Sequence, residues 1–170
     1  MQGAPEPLIL LSVNERADRD ENPTAGAVVV GVDGSDSSRD ALAWAARQAK
    51  LIGAPLRVIA AWQFPTDFGW ATPLPGDPDF EEEARLEADK AIAETITGEL
   101  AEGLDVSVTV VEGHPAEVLT RESEQAALVV VGSRGHGAFT GMLLGSVGHH
   151  LAAHARCPLV IVRDKARPPR

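Results

Sequence analysis

The apolar positions of this chain change period repeatedly after residue 26. Ala27–Val32 is a β-branched apolar run, the pattern of a strand buried on both faces. Asp33-Gly34-Ser35 is turn chemistry, and Ser35, Asp36 or Ser37 can cap a helix. Ala41, Leu42, Ala45, Ala49 and Ile52 then recur at helical spacing, and Gly53 can end that helix. Leu56–Trp62 predicts a second strand. Asp79–Glu102 predicts a long helix, with Ala84, Ala88, Ile92, Ile96 and Leu100 on one stripe. Glu81-Glu82-Glu83 fall in its first turn, where negative charge suits the helix dipole, so they read as a helix start rather than a metal site. Val106–Val111 alternates as a third strand, and Pro115 suits the first turn of a helix running to about Gln125. Ala127–Val131, Gly145–Ala155 and Pro158–Arg163 predict a fourth strand, a last helix and a fifth strand.

Strands alternating with helices predict an α/β protein with a mostly parallel sheet. In such sheets ligands bind at the carboxyl ends of the strands, where strand order reverses. The first strand ends at Asp33-Gly34 and the fourth at Gly132-Ser133. The domain reading is a flexible N-terminal extension over 1–25, one domain over 26–164 and a tail over 165–170. Within the extension, Leu8–Leu11 can pack as a short strand. The segment 64–79 holds Pro65, Pro73, Pro75 and Pro78 with Phe64, Phe68 and Trp70. Its length makes it a candidate lid or partner-docking surface, or a plain surface loop held down by its own aromatics.

Composition narrows the function. The chain has 170 residues and 44% hydrophobic content, enough for a real core. A net charge of −10 repels a phosphate backbone, which argues against general nucleic-acid binding. Cys157 is the sole cysteine, so no intrachain disulfide can form and a reducing cytoplasm is the expected compartment. No apolar run approaches a membrane span, and Leu8–Val13 is too short for a signal core.

The chemistry concentrates after the fourth strand. Gly132-Ser-Arg-Gly135, nine residues, then Gly145-Ser146 stand at fixed spacing behind Leu128-Val-Val-Val131. Backbone that hugs phosphate oxygens needs residues without a Cβ. Gly145-Ser146 opens a helix, whose N-terminal N–H groups and dipole favour an anion. Other phosphate and nucleophile readings fail on residues. No lysine follows a glycine as a P-loop needs, Gly135-His-Gly137 misses the dinucleotide spacing by one residue, and neither Ser133 nor Ser146 sits in G-x-S-x-G.

This pattern, with Val28–Ser35 before it and Cys157-Pro-Leu-Val-Ile-Val162 after it, resembles the universal stress protein family, ATP-binding branch. The resemblance covers about Gly26 to Arg163. It implies a three-layer, open five-stranded parallel sheet of the flavodoxin-like, adenine nucleotide alpha hydrolase-like kind, in strand order 3-2-1-4-5. It also implies ATP as ligand, with Mg²⁺ able to bridge its phosphates, and a homodimer through the edge strand at 158–163. By position, Val32, Asp33 and Gly34 would meet the adenosine part, and the Ala61 backbone the adenine. Val131, Gly132, Arg134 and Gly135 would line ribose and phosphates, with Gly145, Ser146 and Val147 completing the cradle. Gly148 departs from the family's frequent Ser or Thr, which removes a hydroxyl from the terminal phosphate.

His150 and His154 stand four apart on a predicted helix, a spacing that can hold zinc. No acidic residue or cysteine accompanies them, so no metal site is assigned, and His149 and His150 are placed on a helix surface or near a dimer seam. His114 reads as a turn residue, His136 as an exposed loop residue, and Cys157 as an inert thiol. An apolar fifth strand at the sheet edge invites pairing with a second copy, unless Leu8–Leu11 covers it. With no arranged general base, P-loop lysine or triad, no catalytic residue is assigned. The expected function is a nucleotide-dependent signalling module of the stress-response kind, with little or no catalysis. The alternatives are a slow Mg-dependent ATPase or phosphotransferase at the same site, and a nucleotide-free interaction module docking a partner through 64–79.

Overall fold

The computed structural model describes residues 26–63, 79–135 and 144–163. The expectations on the extension 1–25, the segment 64–78, His136 and the tail 165–170 fall outside the described residues. Among the described residues the chain runs β1 (Val28–Val32), α1 (Asp36–Ile52), β2 (Leu56–Trp62), α2 (Phe80–Thr95), β3 (Val106–Glu112), α3 (Pro115–Glu122), β4 (Leu128–Gly132), α4 (Ser146–His154) and β5 (Leu159–Val162). A single 3₁₀ turn at Gly98–Leu100 follows α2.

All five strands are parallel, in the order β3-β2-β1-β4-β5. Val28 lies opposite Leu56 on one side and Leu128 on the other. The order therefore reverses between β1 and β4. A chain that keeps its crossovers right-handed must change faces when it changes direction. Accordingly α1 and α2 cover one face of the sheet, and α3 and α4 the other.

Side-chain alternation along the strands feeds both layers. Val28, Val30, Leu56, Val58, Leu128 and Val130 pack on Ala41, Leu42, Ala45 and Ala49 of α1 and Ala88, Ala91 and Ile92 of α2. Val29, Ile59, Val129 and Val131 pack on Val118, Leu119 and Leu151 of α3 and α4. Burial on both sides is why β1 and β4 read as continuous apolar runs rather than alternating ones. The alanines of α1 let the helix lie close to the sheet over β1 and β4, which brings its N-terminus against the end of β4.

Two helices are shorter than the periodicity predicts. α2 stops at Thr95 instead of Glu102. The β-branched run Thr95-Ile96-Thr97 and then Gly98 are poor helix formers. The apolar stripe survives the break: Ile96 is buried and Leu100 packs on the same cluster from the 3₁₀ turn. α3 ends at Glu122 because Ser123 holds its C-terminus. The Ser123 hydroxyl is fully buried, donates to the Thr120 carbonyl at 2.6 Å, and accepts from the Arg156 N–H at 2.9 Å. No helix among the described residues is long and apolar enough to cross a membrane.

Candidate functional site

The carboxyl ends of β1 and β4 meet the N-termini of α1 and α4, and the local sequence explains each approach. After Val32 the chain turns at Gly34, whose φ of 79° suits a residue without a Cβ. Ser35 then caps α1: its hydroxyl oxygen accepts from the Ser38 N–H at 3.2 Å. The same hydroxyl donates to Asp33 Oδ1 at 2.6 Å, and the Ser35 N–H adds a second bond at 3.1 Å. Asp33 is thereby held at the mouth of the crevice by the cap of the neighbouring helix, with its own N–H donating to Ser38 Oγ at 3.4 Å.

Across the crevice, β4 ends at Gly132. An added Cβ there would lie 2.5 Å from Ser37 Oγ and 2.7 Å from the Ser37 carbonyl carbon. That glycine lets α1 seat against β4, and the buried Ser37 hydroxyl accepts from the Arg134 N–H at 3.4 Å. At Gly135 an added Cβ would collide with Asp33 Oδ2. The two halves of the glycine motif close on each other, with the Gly145 N–H donating to the Ser133 carbonyl at 2.7 Å. Gly145 is the N-cap of α4 and supplies no side-chain cap. The first turn of α4, Ser146-Val147-Gly148, thus opens on the cleft with the positive end of the helix dipole.

These groups line one open cleft of about 940 Å³, at the upper end of the range for small-molecule sites. Val32, Asp33, Ala61, Val131, Gly132, Arg134, Gly135, Gly145, Ser146 and Val147 all lie on it. Gly34 does not. It lines an adjoining cavity on the α1–α2 face, which shares Val32, Asp33 and Ala61 with the cleft. The turn that carries Asp33 outward buries Gly34 behind it.

Sequence reasoning missed the floor and the far wall. Ile59 and Leu119, both almost fully buried, join Ala61 and Val131 as an apolar floor, with Pro115 beside them. They stand in no motif of the sequence, and the crossover of α3 brings them to the cleft. His149, His150 and His154 lie along the cleft wall, with His149 exposed on α4 as the helix-surface reading has it. His114 caps α3, its Nδ1 accepting from the Ala116 N–H at 3.3 Å, while Pro115 fills the first turn. Among the described residues, no group of three or more His, Cys, Asp or Glu side chains can enclose a metal ion.

Two groups have clearly displaced pKa values, and neither lines the cleft. Burial lowers the Arg57 guanidinium, with Glu122 pulling the other way. Burial also raises the Cys157 thiol, opposed by a backbone hydrogen bond at Val129. Chemically, the cleft offers an apolar floor at one end, an uncapped helix start at the other, and a carboxylate between them. That suits a ligand with a flat apolar part and an anionic part.

The fold and the crevice define a doubly wound α/β protein with its ligand cleft at the topological switch point. The chain belongs to the universal stress protein family, whose model ("Usp: Universal stress protein family") matches residues 24–163. It is 38% identical over 145 residues to universal stress protein Rv2623 of Mycobacterium tuberculosis, a match covering 84% of this chain and 47% of that protein. The chain thus spans about half the length of the curated relatives it matches. Among solved structures, a universal stress protein in complex with cAMP is 30% identical, with a TM-score of 0.53, over 82% of this chain and 98% of that one. UspA from Lactobacillus plantarum shares the fold, with a TM-score of 0.64 at 21% identity over 84% of this chain and 100% of that one.

Proposed function

We propose that the cleft binds an adenine nucleotide, ATP in preference, and that the chain works as a homodimeric, nucleotide-dependent module of the stress response in the cytoplasm. The observation that carries this reading is the α4 N-terminus. It is capped by a glycine with no side chain and opens on a cleft that also holds Asp33 and an apolar floor. Adenine would lie on Ile59, Ala61 and Leu119, with the Ala61 backbone reading its edge. Asp33 would accept from the ribose or the adenine amine. The N–H groups around Gly132, Arg134, Gly135, Ser146 and Val147 would hold the phosphates, assisted by the Ser146 hydroxyl. A similar protein carrying cAMP supports the adenine end of this reading.

Mg²⁺ would neutralise phosphate charge when bound with ATP; the residues that would hold this pair are those of the α4 start. Turnover is expected to be slow or absent. The β5 edge, half-buried and, among the described residues, paired only with β4, supports self-association through 158–163. The segment 64–79 is the candidate surface for a protein partner.

The test is the nucleotide content of freshly purified protein, with Gly135→Val as the control. Adenine nucleotide released from the wild type and absent from the variant is the expected result. An empty wild type that also shows no calorimetric response to ATP, AMP or cAMP overturns the reading. Incubation with Mg·ATP then measures turnover directly.

A further inference from the structure

We propose that His150 and His154 form a two-histidine site for a borderline divalent transition-metal ion such as zinc or nickel, in the cleft wall of α4. Residues four apart share one helix face. Here their rings do meet, with centroids 4.4 Å apart and planes tilted by 48°. Two imidazoles on one tetrahedral zinc, each bound at about 2.0–2.1 Å, would have centroids roughly 5 Å apart. The observed centroid separation is within about 1 Å of that value. Imidazole nitrogen is a preferred donor for zinc, nickel and copper and a poor one for magnesium.

The surroundings leave the remaining coordination positions open. Both rings border the cleft and also a smaller cavity of about 300 Å³ that includes Thr120 and Arg156. Among the described residues that line the smaller cavity there is no carboxylate, so water or a small oxyanion would complete the coordination on that side. The Arg156 guanidinium favours the oxyanion. His150 lies four residues, about 6 Å along the helix, beyond Ser146. An ion held there stands beside the anion-attracting start of α4, but its binding does not depend on a nucleotide.

The experiment uses the untagged full chain without nucleotide, titrated with Zn²⁺ against a chromophoric chelator, and with Ni²⁺ in parallel. One ion per chain is expected. His150→Ala and His154→Ala should each weaken binding at least tenfold, and so should His150→Gln, which keeps the side-chain volume. His149→Ala and Cys157→Ser should leave it unchanged, and Mg²⁺ should not compete. Wild-type affinity in either the His150 or the His154 variant overturns the proposal, as does the absence of saturable one-to-one binding. Loss of nucleotide binding elsewhere in the cleft would leave these results untouched, so the two readings fail separately.

Discussion

Gly132 and Gly145 belong to one motif, yet the structure assigns them different duties, and alanine separates them. At Gly132 a Cβ would lie 2.5 Å from Ser37 Oγ and 2.7 and 2.8 Å from the Ser37 carbonyl carbon and oxygen. Two of those atoms are backbone, so β4 or α1 must move. Overpacking of this kind costs roughly 1–3 kcal/mol. At about 2–4 °C per kcal/mol for a domain of this size, Gly132→Ala should lose roughly 2–12 °C in melting temperature. At Gly145 the nearest described atoms to an added Cβ are the Ser133 oxygen at 3.5 Å and Arg134 Cα at 3.6 Å, which is ordinary contact. Its φ of −73° and ψ of 166° are open to alanine. Alanine is a poorer N-cap than glycine by up to about 1 kcal/mol. It also restricts the unfolded chain, which returns about 0.4–1 kcal/mol. These terms nearly cancel, so Gly145→Ala should stay within ~0.5 kcal/mol of wild type. With the fold indifferent to a methyl group there, the glycine answers to the ligand, and ATP affinity should drop at least about tenfold, or ~1.4 kcal/mol. Urea unfolding followed by tryptophan fluorescence, with calorimetric titration of ATP, measures both. A Gly145→Ala protein that binds ATP as the wild type does would refute the ligand-approach argument. An undiminished Gly132→Ala stability would refute the packing argument.

Ser35→Ala removes both the α1 cap and the 2.6 Å bond to Asp33; it should cost about 1 kcal/mol in urea unfolding. It should also weaken ATP binding, because Asp33 loses a positioning donor. Ser123→Ala leaves the Arg156 N–H without its acceptor beneath α3, and a stability loss of roughly 1–3 kcal/mol is expected in the same assay. The Cys157 thiol, raised by burial, should react slowly with a disulfide reagent at pH 8 and faster once unfolded. Its folded pKa exceeds its unfolded one, so its effect on stability is constant at neutral pH and turns unfavourable only as pH rises above the unfolded value. Cys157→Ser should remove that alkaline slope from a stability–pH profile.

Much of this arrangement is legible in the residues. The alternation of strands and helices follows from periodicity, the strand order from the family resemblance, and the crevice from the rule that ligands bind at strand ends; Gly132, Gly135 and Gly145 stand out by spacing, and Asp33 by its place at the end of the first strand. What spacing does not carry is the third dimension. Ile59 and Leu119 are 60 residues apart, stand in no motif, and come together only where α3 crosses back over the sheet. Gly34 sits next to Asp33 in the chain but behind it in space, because the turn that exposes one buries the other. The end of α2 was hidden for a different reason. Ile96 and Leu100 keep the apolar stripe in phase, so periodicity runs on while β-branching and Gly98 end the helix. Ser37 reads in the sequence only as a cap candidate, since its packing role depends on a glycine 95 residues later.

The reversal of strand order also sets a timetable for synthesis. β1 and β2 can pair as soon as Trp62 has emerged, but the other edge of β1 waits for β4, which ends 70 residues later at Gly132. At roughly 5–20 residues per second, that interval is about 4–14 s. Throughout it, the strand Val28-Val-Val-Gly-Val32, destined for the centre of the sheet, presents a bare hydrogen-bonding edge. On the ribosome the most protected strand of the finished molecule is the most exposed one, and a nascent chain stalled between residues 63 and 128 is the form in which this protein most readily pairs with the wrong neighbour.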